Sequence, residues 1–341
     1  MIGIRCKRAA LAAAMTAGLL LGQAAQAKEF IKMSTLGPGS SPYLVMTTFA
    51  SIVNSREKDI EVQVNATGVA TRHAIEAGRG EIDMFLTAPI INILMRGQKA
   101  MFKKVKDAPA LVKNLRVMLM FDIGLYHVAV YDDSGIRSLK DIKGKKVFLG
   151  PPGGAALRVA KTFVKAATGY EAGKDFDSVK LSWDAAGAAF QDRRLDVYIN
   201  PTNPPSPVIQ QVALTNKIRF LPLEDAVFET PAVKKLFKIP GRTRGNIAAK
   251  AYGKNQMNAG PTQSMGALVG VATRAGMSAD TVYRMTKAFW EGAEEMRSTA
   301  PWLREIKLEN ALSAANIPLH PGAAKYYREI GMKVPEKLLA K

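Results

Sequence analysis

The chain has 341 residues, with 48 Lys+Arg against 29 Asp+Glu, three His, one Cys and a formal charge of +19. This length, with 48% hydrophobic residues, can bury a sizeable core divided between two lobes. Such a composition excludes a disordered chain, a coiled coil and a disulfide-stapled scaffold.

The first 27 residues are expected to be an export signal. Arg5, Lys7 and Arg8 form a positive start, Ala9 to Gly22 is an uncharged apolar run, and Ala25-Gln26-Ala27 is a small-x-small cleavage site. The apolar run has 14 residues, short of the roughly 20 that a spanning helix needs. Cleavage after Ala27 lowers the charge by the three units of Arg5, Lys7 and Arg8, to +16. It also removes Cys6, the single thiol, and with it any thiolate nucleophile or Cys-ligated zinc. The remaining charges are scattered, as in Lys103-Lys104, Arg193-Arg194 and Arg242-Arg244. An exported chain with dispersed charge is not expected to bind nucleic acid. The basic surface is either simply solvated or attracts an anionic ligand at long range.

From Lys28 the chain alternates strands and helices. Glu29 to Ser34 reads as a strand. Ser41 and Pro42 then open a helix as N-cap and first residue, and it runs to about Asn54. Ile60 to Ala66 alternates as a strand, and after Thr67-Gly68 a helix starts at Ala70. Ile82 to Thr87, Leu125 to Tyr131 and Lys146 to Leu149 read as strands, and Gly150-Pro151-Pro152-Gly153-Gly154 leads into a helix at Ala155. Val179 to Trp183, Val197 to Asn200, Arg219 to Pro222 and Gly266 to Thr273 complete the strands, and the region after Ser278 is mainly helical.

This order predicts parallel α/β sheets covered on both faces. Ligands of such sheets sit beyond the carboxyl ends of the strands, where the turns 35–41, 67–70 and 150–155 fall. All three open helices, whose N-termini carry unpaired N–H donors and a positive dipole end.

The chain resembles the TAXI family of solute receptors of tripartite ATP-independent periplasmic (TRAP) transporters. The resemblance is most specific at Pro318-Leu319-His320-Pro321-Gly322-Ala323 and Tyr326-Tyr327-Arg328-Glu329-Ile330-Gly331. Val128 to Val130, Ser134-Gly135-Ile136 and Leu139 to Val147 are similar to a strand–turn–helix–strand of type II periplasmic binding proteins. The resemblance implies an α/β fold of that type, with two hinged sheets around a central cleft. Residues 28–125 and about 240–341 form lobe 1, and about 126–239 form lobe 2. It also implies capture of a carboxylate, such as a dicarboxylate, 2-oxoacid or acidic amino acid, and delivery to the membrane permease subunits of a TRAP transporter. The receptor is expected to be a periplasmic monomer without cofactor, metal or catalytic residues. A second reading has it present the bound solute to a sensor kinase.

In the first loop Thr35, Gly39 and Tyr43 match the family, with Ser41 in place of Thr. In the second, Thr67 and Gly68 match, while Val69, Ala70 and His73 replace Gly, Ser and Asn. In the third, Pro152 and Gly153 match, while Gly154, Ala155 and Ala156 remove two hydroxyls. The pocket therefore keeps its backbone donors and loses side-chain ones. Arg72, just after Thr67-Gly68, is expected to pair with a ligand carboxylate. Asn200, at a strand end, is a polar contact candidate, and Tyr43 either covers the ligand or staples its helix. His73 is a ligand contact or a packing residue, Trp183 belongs to the cleft or the core, and His127 and His320 read as structural. No histidine spacing suits a metal, and no serine has the elbow of a hydrolase.

Overall fold

The computed structural model describes residues 28–297, 303 and 306–339. The expected signal segment 1–27, with Cys6, lies outside them. Strand β1 (Glu29–Thr35) buries Ile31 and Met33 on one face and pairs in parallel with β2 (Ile60–Ala66) and β3 (Met84–Thr87). Helix α1 (Ser41–Arg56) joins β1 to β2. The Ser40 hydroxyl caps it, accepting from the Tyr43 N–H at 3.3 Å, and Pro42 fixes its first turn. Helix α2 (Ala70–Arg79) stops at Gly80, whose φ of +79° is the left-handed conformation that ends helices. Helix α3 (Pro89–Arg96) follows β3 directly, and the short α4 (Ala108–Leu111) precedes the next strand.

Strand β4 (Leu115–Tyr131) is more than twice as long as the sequence suggests. Its first half, Val117 to Phe121, is buried on both faces, so it lacks the alternation that marks a half-exposed strand. That half pairs antiparallel with β10 (Thr262–Arg274), and the second half pairs with β7 (Val197–Thr202) and β8 (Ile218–Phe220). Beyond β7 lie β5 (Lys146–Phe148) and β6 (Asp177–Ser178), which continue the sheet in parallel. The sheet order is β2-β1-β3-β10-β4-β7-β5-β6, with β9 (Arg242–Ile247) on the outer side of β10. Two antiparallel strands, β4 and β10, therefore carry the chain between two groups of strands.

Helices α5 (Ala155–Thr168), α6 (Trp183–Gln191) and α7 (Pro207–Thr215) cover the second group. Val179 to Trp183 is not a strand. Ser182 stands at the N-cap position of α6 without a side-chain capping bond and Trp183 opens the helix, because Asp184 and the small residues behind it favour a helix start. Helices α8 (Asp225–Glu229) and α9 (Pro231–Phe237) precede β9, a strand that its polar sequence hides. Residues 242–258 return to the second group. Ile247 and Tyr252 join its core with Phe148, Phe190, Tyr198 and Phe220, and Gln256 bridges to Ile218. The chain goes back to the first group along β10. Helix α10 (Ala279–Met296) then packs on α1, and α11 (Pro321–Glu329) packs on α10. His320 caps α11 with its ring, Nδ1 accepting from the Gly322 N–H at 3.2 Å.

The crossing is tight. Gly124 in β4 has φ +83°, and a Cβ there would lie 2.1 Å from the Thr202 carbonyl oxygen. Across from it, a Cβ on Gly266 of β10 would lie 2.7 Å from the Gly124 oxygen. Only two residues without side chains let the strands pass each other and β7 this closely.

Candidate functional site

The ends of β1, β2 and β5 turn into α1, α2 and α5 on one side of the sheet, and their starts meet at one cavity. Ser40 and Pro42, Val69 and Ala70, and Gly154, Ala155 and Ala156 all line it. Two further helix starts join them: α3 through Ala88, Pro89 and Ile90, and α6 through Trp183. Each start brings a positive dipole end to the space, although Pro42 of α1 and Pro89 of α3 have no N–H to offer and the Tyr43 N–H is taken by Ser40 Oγ. The walls are mainly hydrocarbon, with Leu36, Leu86, Ile123, Leu268 and Val269 among them. The cavity holds about 80 Å³ for the centres of water-sized groups.

Arg242, the first residue of β9, is the charged side chain among the described lining residues, and it forms no ion pair among the described residues. Its guanidinium stands beside the phenol of Tyr126, which also lines the cavity. Burial raises the Tyr126 pKa above its ordinary value, and the neighbouring guanidinium opposes that rise. Tyr126 is held by an edge contact with Phe163, centroids 5.4 Å apart. Trp183 serves both core and cleft: it is 3% exposed, lines the cavity and stands edge-on to Phe148 at 5.4 Å.

The polar residues singled out in the sequence mostly hold the two halves together. The Ser41 and Thr202 hydroxyls share a hydrogen bond of 2.9 Å, and the Asn203 N–H donates to Ser41 Oγ at 3.0 Å. Asn200 is fully buried, and its Nδ2 donates to the Gly39 carbonyl and the Tyr198 hydroxyl, both at 2.9 Å. Thr71 Oγ1 donates to the Gly153 carbonyl at 3.0 Å. Each such bond contributes about 0.5–1.5 kcal/mol net, and all but the Asn200–Tyr198 bond, which lies within β7, span from the first group of strands to the second. Thr35 is buried and donates to the Pro42 carbonyl at 3.4 Å. Gly154 lines the cavity, whereas Thr67, Gly68 and Gly153 are exposed and Tyr43 is half-buried outside the lining.

Arg72 is placed away from the cleft. Its side chain is 75% exposed and pairs with Glu76 one helical turn on, Nε to Oε1 at 2.7 Å. The face of α2 that enters the cavity carries Ala70, and Arg72 lies two residues round from it. A solvated i,i+4 pair contributes about 0.3–0.5 kcal/mol. Arg72→Ala is therefore expected to shift the melting temperature by no more than about 2 °C. A loss above tenfold in ligand affinity, read by calorimetric titration, would show that the side chain reaches the site after all.

None of the three histidines lines the cavity. The His73 ring sits under its own loop, Nε2 hydrogen-bonded to the Thr67 carbonyl at 2.8 Å, and burial lowers its pKa against the pull of that carbonyl. His127 is fully buried, between the Leu125 carbonyl on Nδ1 at 2.8 Å and the Tyr252 hydroxyl on Nε2 at 3.0 Å. Tyr252 accepts from the Ser206 N–H, so its own proton points to Nε2 and the ring proton sits on Nδ1. No group of acids, histidines or cysteines among the described residues could hold a metal ion, and no helix among them is long and apolar enough to cross a membrane.

The model of the NMT1-like family matches residues 33–331. Among solved structures, the fold is similar to that of the alkanesulfonate-binding protein SsuA from Xanthomonas axonopodis pv. citri bound to MOPS. That match has 14% identity and a TM-score of 0.46, and covers 82% of this chain and 80% of that one. A TRAP periplasmic solute-binding protein from Ralstonia eutropha H16 with bound (S)-2-acetolactate matches at 13% identity and a TM-score of 0.46, over 89% and 91% of the two chains. Another, from Chromohalobacter salexigens with bound (S)-(+)-2-amino-1-propanol, matches at 13% identity and a TM-score of 0.47, over 89% and 90%.

Proposed function

The chain belongs to the NMT1-like family, and from that premise we propose that it is a periplasmic receptor that captures a small organic anion and hands it to a TRAP-type permease. One observation carries this reading. Five helix starts, drawn from both groups of strands, converge on one cavity with a guanidinium that has no ion pair among the described residues. That arrangement supplies positive potential in a poorly hydrated space, which suits an anion. It supplies no chemistry. Among the described lining residues there is no acid, histidine or cysteine, and Ser40 is committed to the Gly37 carbonyl and the Tyr43 N–H. A receptor needs only to favour the closed arrangement when ligand is present. The lobes would part about Gly124 and Gly266 as the Ser41–Thr202, Asn200–Gly39 and Thr71–Gly153 bonds break. The likeness of residues 318–331 to the TAXI C-terminal motif supports a place among TAXI receptors, and the segment 1–27 supports export.

The test is a thermal-shift screen of the purified protein against organic acids and their neutral analogues. A true ligand at about 100 times its Kd stabilises by ~2.7 kcal/mol. Small-angle scattering should then give a smaller radius of gyration with that ligand than without. A screen in which acids never exceed their neutral analogues would rule the receptor reading out.

A further inference from the structure

We propose that the ligand is an amphipathic monoanion, with one carboxylate head on Arg242 and a branched aliphatic body against the apolar walls. This rests on the receptor reading above and names the class of solute. It departs from the dicarboxylates and acidic amino acids that the sequence resemblance implies.

Three observations lead there. First, the cavity offers one full positive charge. Arg242 is the charged group among the described lining residues, with the Tyr126 phenol beside it as a second polar group. A planar guanidinium matches one carboxylate with two parallel hydrogen bonds, and the phenol is placed to donate to the same head. A second carboxylate would have to rest among side chains such as Leu36, Ile90, Ile123 and Leu268, where only the partial charges of helix starts, and no second charged side chain among the described lining residues, meet it. Burying a charge without a partner is strongly unfavourable, so the site selects against dianions.

Second, hydroxyls are scarce where a polar ligand would need them. The third loop presents Gly154, Ala155 and Ala156 to the cavity, and the Ser41 and Thr71 hydroxyls and Asn200 Nδ2 are occupied in bonds between the two halves. A sugar acid or an amino acid would lose its hydration without replacement. An alkyl body loses nothing, and its burial is favourable. Third, size limits the body. The space left for the centres of water-sized groups is about 80 Å³, which suits a small solute such as a short branched acid.

The experiment is calorimetric titration of the purified protein with 3-methylbutanoate, succinate and 3-methylbutan-1-ol, repeated on Arg242→Gln. The branched acid is expected to bind at least tenfold more tightly than succinate and than the alcohol, with a negative heat-capacity change from apolar burial. Arg242→Gln is expected to lose at least tenfold for the acid and to change the alcohol less than threefold. Succinate binding more tightly than the branched acid would overturn the monoanion and leave the receptor standing. Equal affinity for acid and alcohol would remove Arg242 as the reader of charge and overturn the proposal. If no organic anion binds saturably, the receptor reading falls with it. Should Arg242→Gln lack a cooperative melt, the ranking of the three compounds on the unaltered protein decides alone.

Discussion

Replacing Gly124 by alanine is expected to destabilise the protein by more than about 3 kcal/mol, or to prevent folding. Two costs add. An L-residue at φ +83° carries the left-handed penalty of roughly 1–2 kcal/mol. The new methyl would also lie 2.1 Å from the Thr202 carbonyl oxygen and 2.5 Å from the Asn203 nitrogen, both main-chain atoms. A side chain can swing away from an intruding methyl, but a strand cannot, so β4 and β7 must separate where the chain passes between the two halves. Overpacking of this kind costs about 1–3 kcal/mol or more. Gly331→Ala is the control. It has φ +76°, with nothing within 4 Å of the added methyl, so it should show the backbone penalty alone. Urea unfolding of both variants separates the terms. If Gly124→Ala lost no more than Gly331→Ala, the strands would not be fixed at this crossing. Because Gly124 also feeds Tyr126 into the cavity, a folded variant should bind ligand more weakly as well.

The same contrast between local and distant signals explains what the sequence could announce. The starts of α1, α2 and α5 were legible because caps and breakers act on their own neighbours: Pro42, Gly68 and Gly153-Gly154 are local instructions, although the cap expected at Ser41 falls one residue earlier, on Ser40. Their convergence follows from the α/β order, since parallel strands place such turns at one edge. Arg242 was not legible. It sits in a polar stretch that reads as surface charge, and it becomes a site residue only because β9 pairs with β10 and brings it to Tyr126. Arg72 failed for the opposite reason. Nearness to a loop in sequence says nothing about which side of the helix a side chain takes. Here the clue was present, since Glu76 at i+4 offers a solvent-side partner. Ser41 and Asn200 were recognisable as polar groups at strand and helix ends. Whether such a group meets a ligand or the opposite lobe depends on how the halves close, and no short-range pattern encodes that.

Acidification from pH 7 to 4.5 should destabilise the protein, and His127 should account for about 2–3 kcal/mol of the loss. Its ring is fully buried and neutral, and burial depresses its pKa from 6.5 to about 4, against the weaker opposing effect of the Leu125 carbonyl. The sign follows from proton counting. Between pH 4 and 6.5 the unfolded chain protonates this histidine and the folded chain does not. Stability therefore rises with pH by about 1.4 kcal/mol per unit in that window, and is lost as pH falls through it. His320, depressed to about 4 by burial, acts in the same direction, and so does His73. Carboxylates such as Asp59 and Asp133 also have lowered values, from hydrogen bonds to Arg284 and Arg193. Their contribution is lost only below their unfolded pKa near 4, so it falls beneath the histidine window. Urea unfolding at pH 7.0, 6.0, 5.0 and 4.5 isolates the term when run beside His127→Gln. The variant should be the less stable at pH 7, having lost the edge contacts with Phe220 and Tyr252. Its slope should be shallower by about 1.4 kcal/mol per pH unit, so the gap narrows on acidification. Parallel slopes would mean that His127 takes up a proton in the folded state. The Tyr252 hydroxyl would then have to turn from donor to acceptor toward Nε2 while still meeting the Ser206 N–H. It would be left with two donors and its own proton unplaced in a dry core, and that conflict is what keeps the ring neutral.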